Sequence, residues 1–279
     1  MTRQIRSRNA AVQVWTAYLD NRATRNRDGR FLVHGVRPIT QALACDWPLE
    51  TLLYRLGDDP GLSSWARDVL DSSPVPAVGL APELMAELGE KSTGAPELVA
   101  VAEQAPAAEL ATHEAGDPGE APVVVVFDRP NSPGNLGTLI RSADAFGASA
   151  VVVSGHGADQ YDPRCVRAST GSLFSMPVFR VAGPADVLAF RDRQVRRGIP
   201  TRIVGTDERG DRAVFDQDLI DATILVLGNE TSGMSAAWSA ACDDTVTIPM
   251  GGTASSLGAP SAAAVALYEI SRQRRTFAR

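Results

Sequence analysis

Five short apolar runs in the second half of the chain set the tightest limit on its fold. They are VVVVF (Val123 to Phe127), AVVV (Ala150 to Val153), RIVG (Arg202 to Gly205), ILVLG (Ile224 to Gly228) and TVTIPM (Thr245 to Met250). These runs are rich in β-branched residues and do not alternate apolar with polar, as expected of strands covered on both faces. Helical stretches separate most of them: Asn135 to Phe146, Pro163 to Phe174, Pro184 to Arg197, Ser235 to Ala241 and Pro260 to Arg272. Strands and helices in this order specify an α/β fold with a parallel sheet. Ligands of such sheets bind outside the carboxyl ends of the strands. Three of those ends lead into unusual loops, DRPNSPGN, LGNETSGMS and PMGGTASSLGAP.

The first half reads as a separate, smaller α/β domain of roughly ninety residues. Helices are expected over Ala10 to Leu19, Pro38 to Ala44 and Ser63 to Leu70, with strands in FLVHGV, ETLLYRL and PELVAVAE. Between the halves, EQAPAAELATHEAGDPGEAP carries five acids and no Lys or Arg, and reads as a solvated linker. The expected division is residues 1–105, a linker at 106–121, and 122–279, with 1–30 of the first part a basic arm ahead of a folded 31–105.

The net charge of −6 is unevenly spread. Seven arginines (Arg3, Arg6, Arg8, Arg22, Arg25, Arg27 and Arg30) fall in the first thirty residues against Asp20 and Asp28, and the tail SRQRRTFAR adds four. Such an arm is the electrostatic footprint of a phosphate-backbone reader, although a solvated arginine-rich surface gives the same pattern. Cys45, Cys165 and Cys242 are odd in number and far apart, and His34, His113 and His156 do not cluster. Neither a disulfide framework nor a metal site is expected, which suits a cytoplasmic protein. No run is long enough to span a bilayer, and MTRQIRSRNAAVQVW has no signal-type segment, so no membrane partner is expected. No GxGxxG follows the first strand and no GxxxxGK[ST] occurs, so the dinucleotide and P-loop readings fail. A generic flavodoxin-like module stays open on these grounds.

The stretch IPMGGTASSLGAPSAAAVALYE, from Ile248, has no His, Cys or Lys and no acid before Glu269. Small residues of this kind let a backbone pass very close to something else. Taken with PGNLGTLIRSADAFGA after the first run and LVLGNETSGMS at the fourth, it resembles, in order and spacing, the three motifs of the SpoU/TrmH family. These are S-adenosylmethionine-dependent RNA ribose 2′-O-methyltransferases of the SPOUT superfamily. The resemblance covers about Val123 to Arg275, and GRFLVHGVRPITQAL is similar to the family's L30e-like RNA-binding domain. It implies a small L30e-like N-terminal domain followed by a SPOUT parallel-sheet domain with a C-terminal trefoil knot. Gly251, Gly252, Ala254 and Ser255 suit a threaded segment with no room for bulk. It further implies S-adenosyl-L-methionine as cofactor, no metal, a homodimer with its active site at the interface, and ribosomal RNA as substrate, foremost a uridine of 23S rRNA. Antibiotic resistance is one role open to such an enzyme. The alternatives are a tRNA ribose methyltransferase and a catalytically weak rRNA-binding or ribosome-assembly protein.

Position by position, the resemblance places Asn135, Arg141, Glu230 and Ser256 in the catalytic set. Asn135 and Arg141 lie nearly two helical turns apart, which predicts a shared face. Thr206, Gly228, Asn229 and Glu230 would contact the cofactor, as would Ile248, Met250, Ser256 and Leu257. RNA contacts fall to Arg141 and to Arg3, Arg6, Arg8, Arg22, Arg25 and Arg27. Gly258 departs from the family, which usually has Asn there. In the implied reaction the cofactor brings the electrophile, so the chain needs no covalent nucleophile and supplies position and electrostatics. A guanidinium stays protonated, so Arg141 would stabilise a developing alkoxide rather than accept its proton. Glu230 has three open tasks: direct chemistry, capping the helix near Ser235, or ordering Arg141.

Overall fold

The computed structural model describes the chain apart from residues 1–2, 58–60, 90–94, 118, 255 and 278–279. Ser255 therefore lies outside the described residues. Two compact units emerge, Met1–Pro106 with Asp159–Phe174, and Ala107–Ala158 with Ser175–Arg279.

The first unit opens with strand β1 (Arg3–Ile5), then α1 (Ala10–Ala17), α2 (Arg22–Asp28), β2 (Arg30–His34), α3 (Val36–Ala44) and β3 (Leu49–Arg55). It continues with α4 (Ser64–Ser72), β4 (Ala77–Leu80), α5 (Pro82–Leu88) and β5 (Leu98–Glu103), giving a five-stranded sheet ordered β1-β4-β3-β5-β2. The basic arm is a correction. Residues 3–30 are folded: Arg3 to Ile5 pair with β4, and Val12, Trp15 and Tyr18 sit in the unit's core with Leu32, Leu53 and Val101. An amphipathic stretch whose apolar face is fully used cannot serve as a detachable arm.

Arg25 is the sharpest reversal. Its side chain is 1% exposed, its Nε and Nη2 donate to Asp159 Oδ2 at 3.0 and 2.8 Å, and Nη1 donates to the Tyr18 carbonyl at 2.8 Å. It is a structural arginine and is withdrawn from the RNA contacts. Arg8 pairs with Glu87 at 3.6 Å, Arg27 with Asp28 at 2.8 Å, and Arg30 with Glu50 and Glu103 at 2.6 and 3.0 Å. Asp159 and its neighbours reach this unit on the excursion 159–174, which carries α7 (Pro163–Ala168). The helix expected to run to Phe174 stops at Ala168, because Thr170 and Gly171 turn to φ of 51° and 104°. A Cβ on Gly171 would fall 2.7 Å from Gln41 Cβ, so only glycine allows that approach.

The second unit contains β6 (Val123–Asp128), α6 (Pro133–Ala145), β7 (Ala150–Ser154), β8 (Val178–Val181) and α8 (Pro184–Arg196). After these come β9 (Thr201–Thr206), β10 (Arg212–Ala213), β11 (Ala222–Leu227), α9 (Ala236–Ala241), β12 (Asp244–Thr247) and α10 (Ala259–Phe277). The sheet is wholly parallel, ordered β10-β12-β9-β11-β6-β7-β8. Its central strands β6, β7 and β11 are buried along their whole length, as unalternating apolar runs require. The fifth run ends early: Pro249 has no N–H for the ladder, and β12 stops at Thr247. Residues 207–211 cross β12 on their way from β9 to β10, with Asp207 and Asp211 amides bonding the Val246 and Thr245 carbonyls at 3.0 and 3.1 Å. Gly210 lies so close that a Cβ would stand 2.3 Å from the Val246 carbonyl carbon.

The acidic stretch 106–121 is not a free solvated linker. Leu110 and Ala115 are buried in the core beside Phe179, Val187 and Phe190, and Gln194 on α8 donates to the Ala115 carbonyl at 2.9 Å. Two buried apolar side chains and the Gln194 hydrogen bond hold it to the core. Among the described residues no helix is long and apolar enough to cross a membrane, and no three His, Cys, Asp or Glu converge.

Candidate active site

A cavity of about 420 Å³ opens at the carboxyl ends of β9, β11 and β12. Thr206, Gly228, Asn229 and Glu230 line one part of it, and Ile248, Met250, Ser256 and Leu257 another. All eight residues expected to contact a cofactor therefore meet in one place. Each loop arrives for a local reason. Gly228 ends β11 where a Cβ would lie 2.3 Å from the Met234 amide nitrogen, so the chain can fold back on itself only at glycine. The Thr206 hydroxyl is fixed by donating to the Val226 carbonyl at 3.1 Å. Met250 and Leu257, both large and apolar, stay 40% and 38% exposed at the cavity. The sequence reading missed Asp207, Glu208 and Arg209, which also line the wall, although they follow directly on Thr206 at a strand's carboxyl end.

Glu230 sits in a cage of donors. The amides of Asn131 and Ser132 donate to its carboxylate at 2.9 and 3.2 Å, and the Asn135 side-chain amide at 3.0 Å. Burial alone would raise its pKa, but the Asn131 amide, its own backbone N–H, the Asn135 amide and the Ser132 amide outweigh it. The carboxyl is held below its ordinary range and works as an ionised acceptor. It thus ties down the start of α6, not the helix near Ser235. That second task falls to Asp128, whose Oδ2 accepts from the Ser235 amide at 2.8 Å.

The structure brings Asn135, Glu230 and the cavity together, and leaves Arg141 apart. Arg141 is exposed on α6, does not line the cavity and has no side-chain partner among the described residues. Six residues along a helix leave two side chains about 120° apart around its axis, so the expected shared face does not form. Ser256 reaches the cavity wall. Gly258 accepts from the Ser261 and Ala262 amides at 2.8 and 3.0 Å and so begins α10, with nothing within 4 Å of a Cβ placed there.

The SpoU rRNA Methylase family matches residues 122–268, and the SpoU L30e-like domain matches 9–100. The 23S rRNA (uridine(2479)-2'-O)-methyltransferase of Streptomyces viridochromogenes is 51% identical over 277 residues, covering 98% of this chain and 93% of that protein. The 23S rRNA (guanosine-2'-O-)-methyltransferase RlmB of Photobacterium profundum is 32% identical over 192 residues, 67% of this chain and 76% of that one. The crystal structure of the SpoU methyltransferase AviRb from S. viridochromogenes, in complex with the cofactor AdoMet, superposes with a TM-score of 0.89 at 50% identity, covering 96% of this chain and 99% of that one. Likeness at this level runs through both units and all three motif loops, and the chain belongs to the SpoU rRNA methylase family.

Proposed function

We propose that this chain is an S-adenosylmethionine-dependent methyltransferase acting on the ribose 2′-hydroxyl of a uridine in 23S rRNA, in the cytoplasm. The observation that carries the proposal is the gathering of all eight residues expected to contact the cofactor around one cavity at the strand ends. The cavity suits the cofactor: the exposed apolar faces of Met250 and Leu257 offer a flat base a dry contact, and Gly228 leaves peptide groups within reach. When bound, the cofactor supplies an electrophilic methyl on a sulfonium. The protein's tasks are then to hold the hydroxyl in line and to stabilise charge as its proton leaves. Asn135, ordered by Glu230, presents its remaining amide and carbonyl groups, and Ser256 offers a hydroxyl at the wall. Arg141 supplies positive charge to the alkoxide and to a neighbouring phosphate. Arg3, Arg6, Arg8, Arg22 and Arg27 are exposed and remain candidates for the RNA backbone. Transfer of labelled methyl to stripped 23S rRNA, with total tRNA in parallel, tests the reading. Nuclease digestion and mass spectrometry should find a 2′-O-methyl nucleotide. A methyl on a base would sink the ribose assignment, and transfer to tRNA alone would move the substrate.

Arg141 lies off the wall of its own chain's cavity, which favours a site completed by a second copy. Support comes from α10, where Tyr268 and Val265 are 59% and 39% exposed, and from Tyr268 standing edge-on to Phe146 at 6.3 Å. Light scattering at micromolar concentration is expected to return twice the 29.5 kDa chain mass. A monomer that methylates at full rate would refute the shared site.

Gly258→Asn is expected to raise the methylation rate, because it restores a side-chain amide where the family usually has one and meets no clash. One added hydrogen bond is worth roughly 0.5–1.5 kcal/mol net. Asn also suits the N-cap that Gly258 occupies, so thermal stability should rise slightly in the same variant. A variant that gains stability but no rate would show that position 258 only begins the helix. The parental chain methylating no RNA would favour the binding-protein reading.

A further inference from the structure

Arg129 holds an unusual conformation for its residue type. Its φ is 50°, in the left-handed region that non-glycine residues rarely enter. The backbone is pinned from both sides: its N–H donates to the Ser154 carbonyl at 2.9 Å, and its carbonyl accepts from Asn229 Nδ2 at 2.6 Å. The side chain makes a fork. Nε and Nη2 donate to Oδ1 and Oδ2 of Asp128 at 3.1 and 3.0 Å, and Nη2 also donates to the Gly233 carbonyl at 3.2 Å. Asp128 is 2% exposed. Room for the stem comes from Gly155, where a Cβ would fall 3.0 Å from Arg129 Cγ.

The far end of this fork is the turn that carries Glu230. Residues 229–233 close on themselves through paired amide–carbonyl bonds of 3.0 Å between Asn229 and Gly233. Asn229 Oδ1 accepts the Thr231 and Ser232 amides at 2.9 and 3.1 Å, which stiffens the turn from inside. Two links hold its base to the end of β6, the Asn229 amide and the Arg129 guanidinium. Asp128 joins the same knot of bonds to the Ser235 amide, just beyond the turn. A strained residue that persists inside such a network is over-determined by it, and strain of this kind gathers at functional sites.

We propose that Arg129 is a positioning residue for methyl transfer. It staples the 229–233 turn to the end of β6, so that the Glu230 carboxylate stays seated against Asn131, Ser132 and Asn135; this rests on the methyltransferase reading of the site. The guanidinium does not line the cavity and acts through the turn. Lysine replaces it only in part, because a point charge lacks the fork that spans Asp128 and the Gly233 carbonyl together.

Arg129→Gly removes the fork without backbone strain, since glycine adopts a φ of 50° freely; Asp128 loses its partner in the same step, so kcat and KM, not Tm, carry the test. Parent and variant are compared by steady-state transfer to 23S rRNA, by calorimetric titration of S-adenosylmethionine, and by thermal melting. The expected result is a kcat lower by about tenfold or more, with the KM for RNA within about twofold of the parent, and a lower Tm, because Asp128, 2% exposed, loses its guanidinium partner. Arg129→Lys should fall between the two. Parental kcat in Arg129→Gly overturns the proposal. A kcat and KM that worsen together also overturn it, in favour of a packing role. Should Arg129→Gly fail to fold, Arg129→Lys decides: lowered kcat at constant KM supports the proposal, and parental kcat overturns it. A parent inactive on every RNA overturns the methyltransferase reading itself, and calorimetry without a cofactor signal in the parent identifies that case.

Discussion

Replacing Arg141 by alanine is expected to lower methyl transfer to 23S rRNA by about a hundredfold or more, the scale of losing a charge that acts only in the transition state. The fold should not notice. Arg141 is exposed on α6 and bonds to nothing else among the described residues, so its removal leaves no buried group unpaired. Cofactor affinity should also hold within about twofold, because none of the cavity wall is Arg141. If calorimetry instead showed cofactor binding collapsing, the residue would belong to the cavity in some other arrangement of α6. A second measurement locates the charge. Arg141→Ala chains mixed with Gly228→Ala chains, whose cavity is spoiled by a Cβ 2.3 Å from the Met234 amide, should regain activity that neither has alone. Recovery is the mark of a site completed by another copy, and its absence would confine Arg141 to its own chain.

Arg25→Ala should destabilise the first unit by about 3–5 kcal/mol, the cost of leaving one member of a buried ion pair behind. Asp159, 7% exposed, would lose its guanidinium partner, and the Tyr18 carbonyl would lose its donor. Denaturant titration should show an early transition assigned to this unit. S-adenosylmethionine affinity should change little, since the cavity belongs wholly to the other unit. An Arg25→Ala protein of parental stability that binds RNA less tightly would return Arg25 to the RNA surface. Replacing Arg25 and Asp159 together by apolar residues should recover much of the loss, because well-packed hydrophobes often match a buried pair.

Arg25 also shows where a sequence stops being informative. Its setting in RATRNRD looks like one charge among several, and the partner that buries it stands 134 residues away. The helix around it could have been read locally: Asn21 accepts the Thr24 amide, and Gly29 ends the helix at φ 63°. The strands β6, β7 and β11 were plain because both faces are buried and every residue says so. β8 was not, since it is an edge strand with Arg180 pointing outward, and four residues of that kind carry no pattern. Cavity residues were legible only through the order of three motifs. The charged wall residues Asp207, Glu208, Arg209 and Glu230 come from two loops and Met250, Ser256 and Leu257 from a third, so no single loop announces the site. Arg129 escaped because nothing adjacent to it in DRPNSPGN demands a left-handed turn; the demand comes from Ser154 and Asn229.

The excursion 159–174 imposes a timetable on synthesis. Phe31, wholly buried in the finished chain, lies against Tyr161 and Phe174 with ring centres 4.7 and 6.4 Å apart, and Arg25 waits for Asp159. A ribosome adding roughly 5–20 residues per second needs roughly 3–14 s to travel from residue 106 to residue 174. During that interval β6, α6 and β7 emerge while the earlier unit still lacks its last layer. The nascent chain therefore cannot finish one body before starting the next. A fragment ending at residue 106 should be protease-sensitive where the full chain is not, and genetic splitting of the protein between its halves would have to respect a seam that the polypeptide crosses three times.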